Sequence, residues 1–227
     1  MSQYKYLLFD ADETLFDFKK TEAMGLAHTF EEFGVEPTAE IIDEYHRYNQ
    51  SLWRALERGE ITKAELKKDR FKHIIDMFNF ENADPVIMGE RYVYHLGQGC
   101  YLLDGATEVV KELSKRYSLS IVTNGVAYVQ HTRFDASGLQ PYFDGLFISD
   151  EMGVQKPDKR FFDMVLDKLG ADKSECLVIG DSLSSDMKGA HNAGMHKCWY
   201  NRTGHPADVD FDMEYEIQNI EELLQIL

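Results

Sequence analysis

Three short apolar runs stop abruptly at polar residues: Tyr6 to Phe9 before Asp10, Leu119 to Val122 before Thr123, and Leu177 to Ile179 before Gly180 and Asp181. Apolar runs of this length without alternation predict strands buried on both faces. Between them, apolar positions recur at helical spacing. Asp104 reads as an N-cap ahead of Ala106, Val109, Val110 and Leu113, and Phe161, Phe162, Val165, Leu166 and Leu169 repeat the pattern up to a stop at Gly170. Strands alternating with helices predict an α/β fold with a parallel, doubly wound sheet.

Residues 17–99 break that rhythm. They hold four helical segments, with breaks at Gly34 to Pro37, Gly59 to Thr62 and Asn79 to Pro85, and show no strand pattern. A helical insertion after the first strand is therefore expected, giving a discontinuous core from 1–16 and 100–227 and an inserted domain from 17–99. The tail, Asn219 to Leu227, places Ile220, Leu223, Leu224 and Leu227 on a short packing helix. At 227 residues, one core with a sizeable insertion suits the length.

Charge narrows the partners. The net charge is -16, from 40 acidic and 24 basic residues, without a Lys/Arg stripe. Duplex nucleic acid and anionic membrane surfaces are poor partners for such a chain. A small anionic substrate needs a local positive device, a metal ion or a placed lysine. The N-terminal run meets acidic residues within ten positions, which argues against a signal peptide, and the apolar runs are far below the roughly 20 residues a bilayer requires. Cys100, Cys176 and Cys198 are odd in number and lack CxxC spacing, so neither a disulfide framework nor a zinc site is expected, and a cytoplasmic location is.

The strand ends carry the candidate chemistry, because open α/β sheets bind ligands at the carboxyl ends of their strands. Asp10-Ala-Asp12 alone is weak, since a DxD triplet arises easily among 40 acidic residues. A calcium loop from Asp10 fails, with Leu15 and Thr21 where Gly and Glu are required. The buried strand upstream lifts the pair, for it puts Asp10 at the strand tip and Asp12 one step along the loop. So placed, Asp10 suits a nucleophile attacking phosphorus and Asp12 a general acid and base. Asp181 and Asp186, in GDSLSSD, add two carboxylates to the same rim. Carboxylates 4 Å apart repel by about 1 kcal/mol per pair even in water. A divalent cation resolves that, and oxygen ligands suit magnesium better than zinc. Either acid alternatively caps a helix from Asp186 to Ala193.

Gly180-Asp181-Ser182-Leu183 also spells the GDSL string of a serine esterase family, but no DxxH follows to supply a base for Ser182. Thr123-Asn124-Gly125 has two competing readings: a β-hairpin turn, or a strand-to-helix turn whose hydroxyl and backbone N–H groups bind phosphoryl oxygens. Lys156, ahead of Pro157 and Asp158, is either a solvated loop lysine or the fixed positive charge that steadies Asp10 and the phosphoryl group.

DxDxT after a strand, a Thr after a later one, an isolated Lys-Pro and GDxxxxD, in this order, resemble the haloacid dehalogenase (HAD) superfamily. The resemblance implies a Rossmann-like core with a helical, C1-type cap that closes over substrate. It implies Mg2+ held by Asp10 and Asp181, by the backbone carbonyl of Asp12, and by Asp186 directly or through water. Superfamily members that cleave carbon–halogen bonds lack the second aspartate, so Asp12 implies a phosphatase forming an aspartyl-phosphate. DADETLFDF, TNG, GVQKPDKRFF and GDSLSSDMKGAHNAG, with Asn49, Leu52, Trp53, Gly59, Ile61, Arg70 and Phe71, further resemble the pyrimidine 5'-nucleotidase branch. That implies hydrolysis of nucleoside 5'-monophosphates, non-canonical pyrimidine ones included. Trp53 and Phe71 sit in helical segments, where core packing is the commoner role. Rival readings are a sugar-phosphate phosphatase, a phosphoglucomutase, and a non-catalytic phosphate-sensing module, whose mark would be the loss of Asp10, Asp12 or Lys156.

Overall fold

Six strands form one parallel sheet: β1 (Tyr6–Phe9), β2 (Ser118–Thr123), β3 (Gly145–Ile148), β4 (Cys176–Gly180), β5 (His196–Tyr200) and β6 (Tyr215–Ile217). The computed structural model describes residues 4–81 and 83–227; the first three residues, and Asn82 in the break ahead of Pro85, lie outside the described residues. Spatial order is β3-β2-β1-β4-β5-β6, with every neighbouring pair parallel. The α/β reading with a doubly wound sheet is thus the observed fold.

The apolar runs are explained by what covers each face. Leu7, Phe9, Ile121, Leu177 and Ile179 pack in one cluster with Val109, Val110 and Leu113. Leu8, Val122 and Val178 point the other way, into a second cluster with Phe161, Phe162 and Val165. Each such side chain contributes about 1.5–3 kcal/mol on burial, and both faces of these strands are therefore predominantly apolar.

Helices α1 (Phe18–Glu32), α2 (Ala39–Glu57), α3 (Lys63–Phe78) and α4 (Pro85–Gln98) follow β1. Thr38 caps α2, Thr62 and Glu65 form a capping box on α3, and Asp84 caps α4 with Pro85 in the first turn. Gly34 and Gly59, in the breaks, take φ of +66° and +73°, a region open to glycine at little cost. Lys20–Gly99 form one compact unit; Cys100–Leu227 with the N-terminal stretch through Lys19 form the other. Inside the helical unit Phe71 is fully buried, and Trp53 packs against Leu52, Leu56 and Leu66, so both belong to its core. The buried Glu22 there meets His46 and Asn49 from α2 and the Tyr92 hydroxyl from α4, each at 3.2 Å.

The remaining helices are α5 (Ala106–Leu113), α6 (Ala127–Ala136), α7 (Ser149–Met152), α8 (Lys159–Leu169), α9 (Lys188–Ala193) and α10 (Leu223–Ile226). Two sequence expectations need correction. The N-cap of α5 is Gly105, not Asp104, because the entry turn takes φ of +79° there. The helix expected from Asp186 instead begins as a π-helical turn over Leu183–Met187 before α9, and the Ser182 hydroxyl caps it by accepting from Ser185 N–H. Asp158 and Gly170 do bound α8 as expected. Among the described residues no helix is long and apolar enough to cross a membrane.

Candidate active site

β1 lies between β2 and β4, and the chain leaves its neighbours in opposite directions, so their carboxyl ends frame a crevice at the point where strand order reverses. Phe9 is in register with Ile121 and with Ile179. The residues just beyond, Asp10 on β1, Thr123 ending β2 and Asp181 after β4, are therefore brought to one rim. Ligand oxygens of Asp10, Asp181 and Asp186 all lie within 4.8 Å of one another. Gly180 makes this approach sterically available: a Cβ there would sit 2.7 Å from that of Asp186. The π-helical turn brings Asp186 back toward β4, where one of its oxygens accepts from Ser182 N–H at 3.1 Å.

Lys156 is 1% exposed, so it is no solvated loop lysine. Its ammonium donates to Asp10 (2.7 Å), to Asp186 (2.6 Å) and to the Val122 carbonyl (2.7 Å), satisfying all three protons. Burial opposes its charge, but Asp10 and Asp186 outweigh that and hold its pKa above the ordinary lysine range. For Asp10, burial is the largest influence. It pushes the carboxyl up to about 7 against the pull of Lys156, and Asp186 and Asp12 add to the rise. Asp181 is raised well above the usual carboxylate range by burial and then by Asp10 and Asp186.

Thr123-Asn124-Gly125 is not a hairpin turn, since β2 pairs in parallel on both sides and the chain proceeds into α6. The Thr123 hydroxyl accepts from Gly125 N–H at 3.0 Å. The Asn124 side chain clasps the Lys156 backbone, accepting from its N–H at 2.9 Å and donating to its carbonyl at 2.8 Å, which sets the lysine's approach to the rim.

The Asp12 side chain stands apart from the three-carboxylate group. It accepts from Gln130 Nε2 at 2.8 Å and is ion-paired with Arg133, both on α6. Neither α6 residue stands out in the sequence, although both are polar, three apart on one helical face, and within the first two turns of the helix that follows β2.

A family model described as haloacid dehalogenase-like hydrolase matches residues 4–194. The chain belongs to this family. It is similar along its whole length to HAD-hydrolase YfnB of Bacillus subtilis, with 38% identity over all of this chain and 97% of the relative. The crystal structure of YfnB bound to magnesium superposes with a TM-score of 0.94, at 37% identity over 99% of each chain. Pyrimidine 5'-nucleotidase PynA of Streptococcus pneumoniae is 37% identical over 99% of this chain and 95% of its own, and pyrimidine 5'-nucleotidase YjjG of Escherichia coli 34% over 99% and 98%.

As a HAD hydrolase with this aspartate cluster, the chain is an enzyme, a phosphoric monoester hydrolase. The donor set fits Mg2+. Three carboxylates and one ammonium sum to two negative charges, the ligand atoms are all oxygen, and the spacing suits one ion.

Proposed function

We propose that this HAD hydrolase releases phosphate from nucleoside 5'-monophosphates, pyrimidine nucleotides and non-canonical ones among them, through an aspartyl-phosphate on Asp10. The observation that carries the chemistry is the convergence of Asp10, Asp181 and Asp186 on one point, with Lys156 bridging two of them. Support for the substrate is the end-to-end similarity to two proteins named as pyrimidine 5'-nucleotidases.

On this reading a carboxylate oxygen of Asp10 attacks phosphorus while Lys156 keeps its partner charge in place. Asp12 gives a proton to the departing 5'-alkoxide and later takes one from the water that cleaves the acyl phosphate. The Thr123 hydroxyl, oriented by the Gly125 N–H it accepts from, and the Asn124 N–H bind phosphoryl oxygens as the chain turns into α6. Asp10, Asp181, Asp186 and the Asp12 carbonyl would hold Mg2+, which when bound neutralises charge on the phosphoryl group. Residues 17–99 would serve as the cap domain over the core formed by 1–16 and 100–227, and would carry substrate choice.

Phosphate release measured across a panel of nucleotides and sugar phosphates tests the assignment. Pyrimidine monophosphates are expected to turn over fastest. Sugar phosphates outpacing them would replace the nucleotidase reading with a sugar-phosphate phosphatase or phosphoglucomutase. Phosphate binding without release in the presence of magnesium would leave only a sensor.

A further inference from the structure

Asp12 is the reacting group whose surroundings the mechanism leaves unexplained. Both of its carboxylate oxygens are engaged: Oδ2 accepts from Gln130 Nε2 at 2.8 Å, and Oδ1 accepts from Arg133 Nη2. The same Nη2 reaches Gln130 Oε1 at 3.4 Å, so the two donors also orient each other. Each carboxylate oxygen keeps a further lone pair for proton transfer.

Arg133 is an unusual place to spend a cation. It is fully buried, and its guanidinium carbon lies 4.8 Å from the Phe16 ring centroid and 5.6 Å from that of Phe18. Among the described residues, its Nε and Nη1 have no hydrogen-bond partner. Asp12 is the carboxylate it pairs with, so the guanidinium is committed to one purpose. The loop reinforces the arrangement, for Phe16 N–H donates to the Ala11 carbonyl at 2.9 Å and Phe16 forms a β-bridge with Asp12, so the turn that carries the acid is closed by the residue whose ring lies against the cation. Gly125 completes it: a Cβ there would fall 2.7 Å from Gln130 Cδ, so the amide reaches Asp12 only across a glycine.

We propose that Gln130 and Arg133 are positioning residues that lock the Asp12 carboxylate in one orientation for proton transfer to the leaving alkoxide and from the hydrolytic water. This rests on the reading of Asp12 as the acid and base. No part of the clamp touches phosphorus, so its loss should act only where a proton must move. The leaving group then becomes the probe, because p-nitrophenolate departs unprotonated whereas an alkoxide does not.

The test compares phosphoenzyme formation in single turnovers of the magnesium-loaded enzyme, with p-nitrophenyl phosphate and with the alkyl monophosphate the panel finds fastest. Gln130→Leu, the isosteric Gln130→Glu and Arg133→Met are expected to slow the alkyl substrate by about 10- to 100-fold, a part of the range general acid catalysis spans. The p-nitrophenol burst should change less than about 3-fold, and Arg133→Lys should recover part of the alkyl rate. Both Gln130 variants keep the buried ion pair, so they carry the test if Arg133→Met does not fold. Equal losses on both substrates in variants with native melting curves, or no loss on either, would overturn the clamp. Asp12→Asn separates the two ideas. If it discriminates between leaving groups and the clamp variants do not, the clamp alone fails; if Asp12→Asn does not discriminate, the acid–base reading falls and the clamp with it.

Discussion

Both units of this molecule bury carboxylates, and they treat them in opposite ways. In the helical unit Glu22 is matched by its neighbours: His46 meets one oxygen, and Asn49 and Tyr92 donate to the other. Each of its two oxygens has a partner. At the sheet rim, Asp10 and Asp186 share a single buried lysine beside Asp181, and burial together with mutual repulsion raises Asp10 and Asp181 above the ordinary carboxylate range. A matched cluster stabilises a fold, whereas an unmatched one is kept at a cost to stability because something else binds there.

Removing one carboxylate from each cluster should separate the two by sign. Asp10→Asn takes away the attacking oxygen, so phosphate release should fall by at least about 10⁴-fold. At pH 8, where Asp10 is ionised, the metal-free protein should nevertheless melt at the same temperature or higher, since the rim loses surplus charge. A lower melting temperature would place Asp10 among the stabilising groups and erase the contrast.

Magnesium supplies the next effect in size. Asp10 keeps its proton to about pH 7 in the native state, whereas in the unfolded chain it is lost near pH 4. Its raised pKa therefore gives a contribution that is full below about pH 4 and lost as pH rises through about 7. Without metal, stability from this group should decline across that window. Mg2+ binds the ionised form, so its stabilisation should grow with pH, reaching about 2.7 kcal/mol at a hundredfold excess over Kd. Melting curves in chelator and in magnesium at pH 5 and 8 measure this; a gap that does not widen at pH 8 would contradict it.

Glu22→Leu gives the smallest effect. The Asn49 amide and Tyr92 hydroxyl lose their acceptor, which costs about 1–3 kcal/mol in urea denaturation. Unchanged stability would mean that Glu22 is not the matched group its contacts describe.

The parts legible in the sequence were those where several residues impose one requirement. β1, β2 and β4 are buried on both faces, so their runs are apolar apart from the small Ser120 in β2, and Asp10, Thr123 and Asp181 follow directly from where the runs stop. β6, at the sheet edge, is three residues of TyrGluIle with its middle residue exposed, a pattern too short to stand out. Thr123-Asn124-Gly125 was ambiguous because a turn's local chemistry is the same whether the next element is a strand or a helix. Gln130 and Arg133 were invisible for another reason. Their partner is over a hundred residues away, and an Arg on a helix reads as solvent-facing until the fold puts Phe16 and Phe18 against it. Asp104 failed as a cap because a left-handed turn, not a side chain, sets where α5 begins.

The doorway between the two units has its own consequence. Phe16 and Leu102 form an antiparallel bridge, Asp17 N–H donates to the Tyr101 carbonyl and Leu103 N–H to the Leu15 carbonyl, each at 2.9 Å. Outgoing and returning chains are thus stitched together before the helices begin. Whatever lies between them hangs from a closed loop base, so inserts of other lengths and sequences can be grafted at this seam while the strand tips keep their spacing. A lineage holding this doorway constant can exchange the insert while leaving the sheet rim alone.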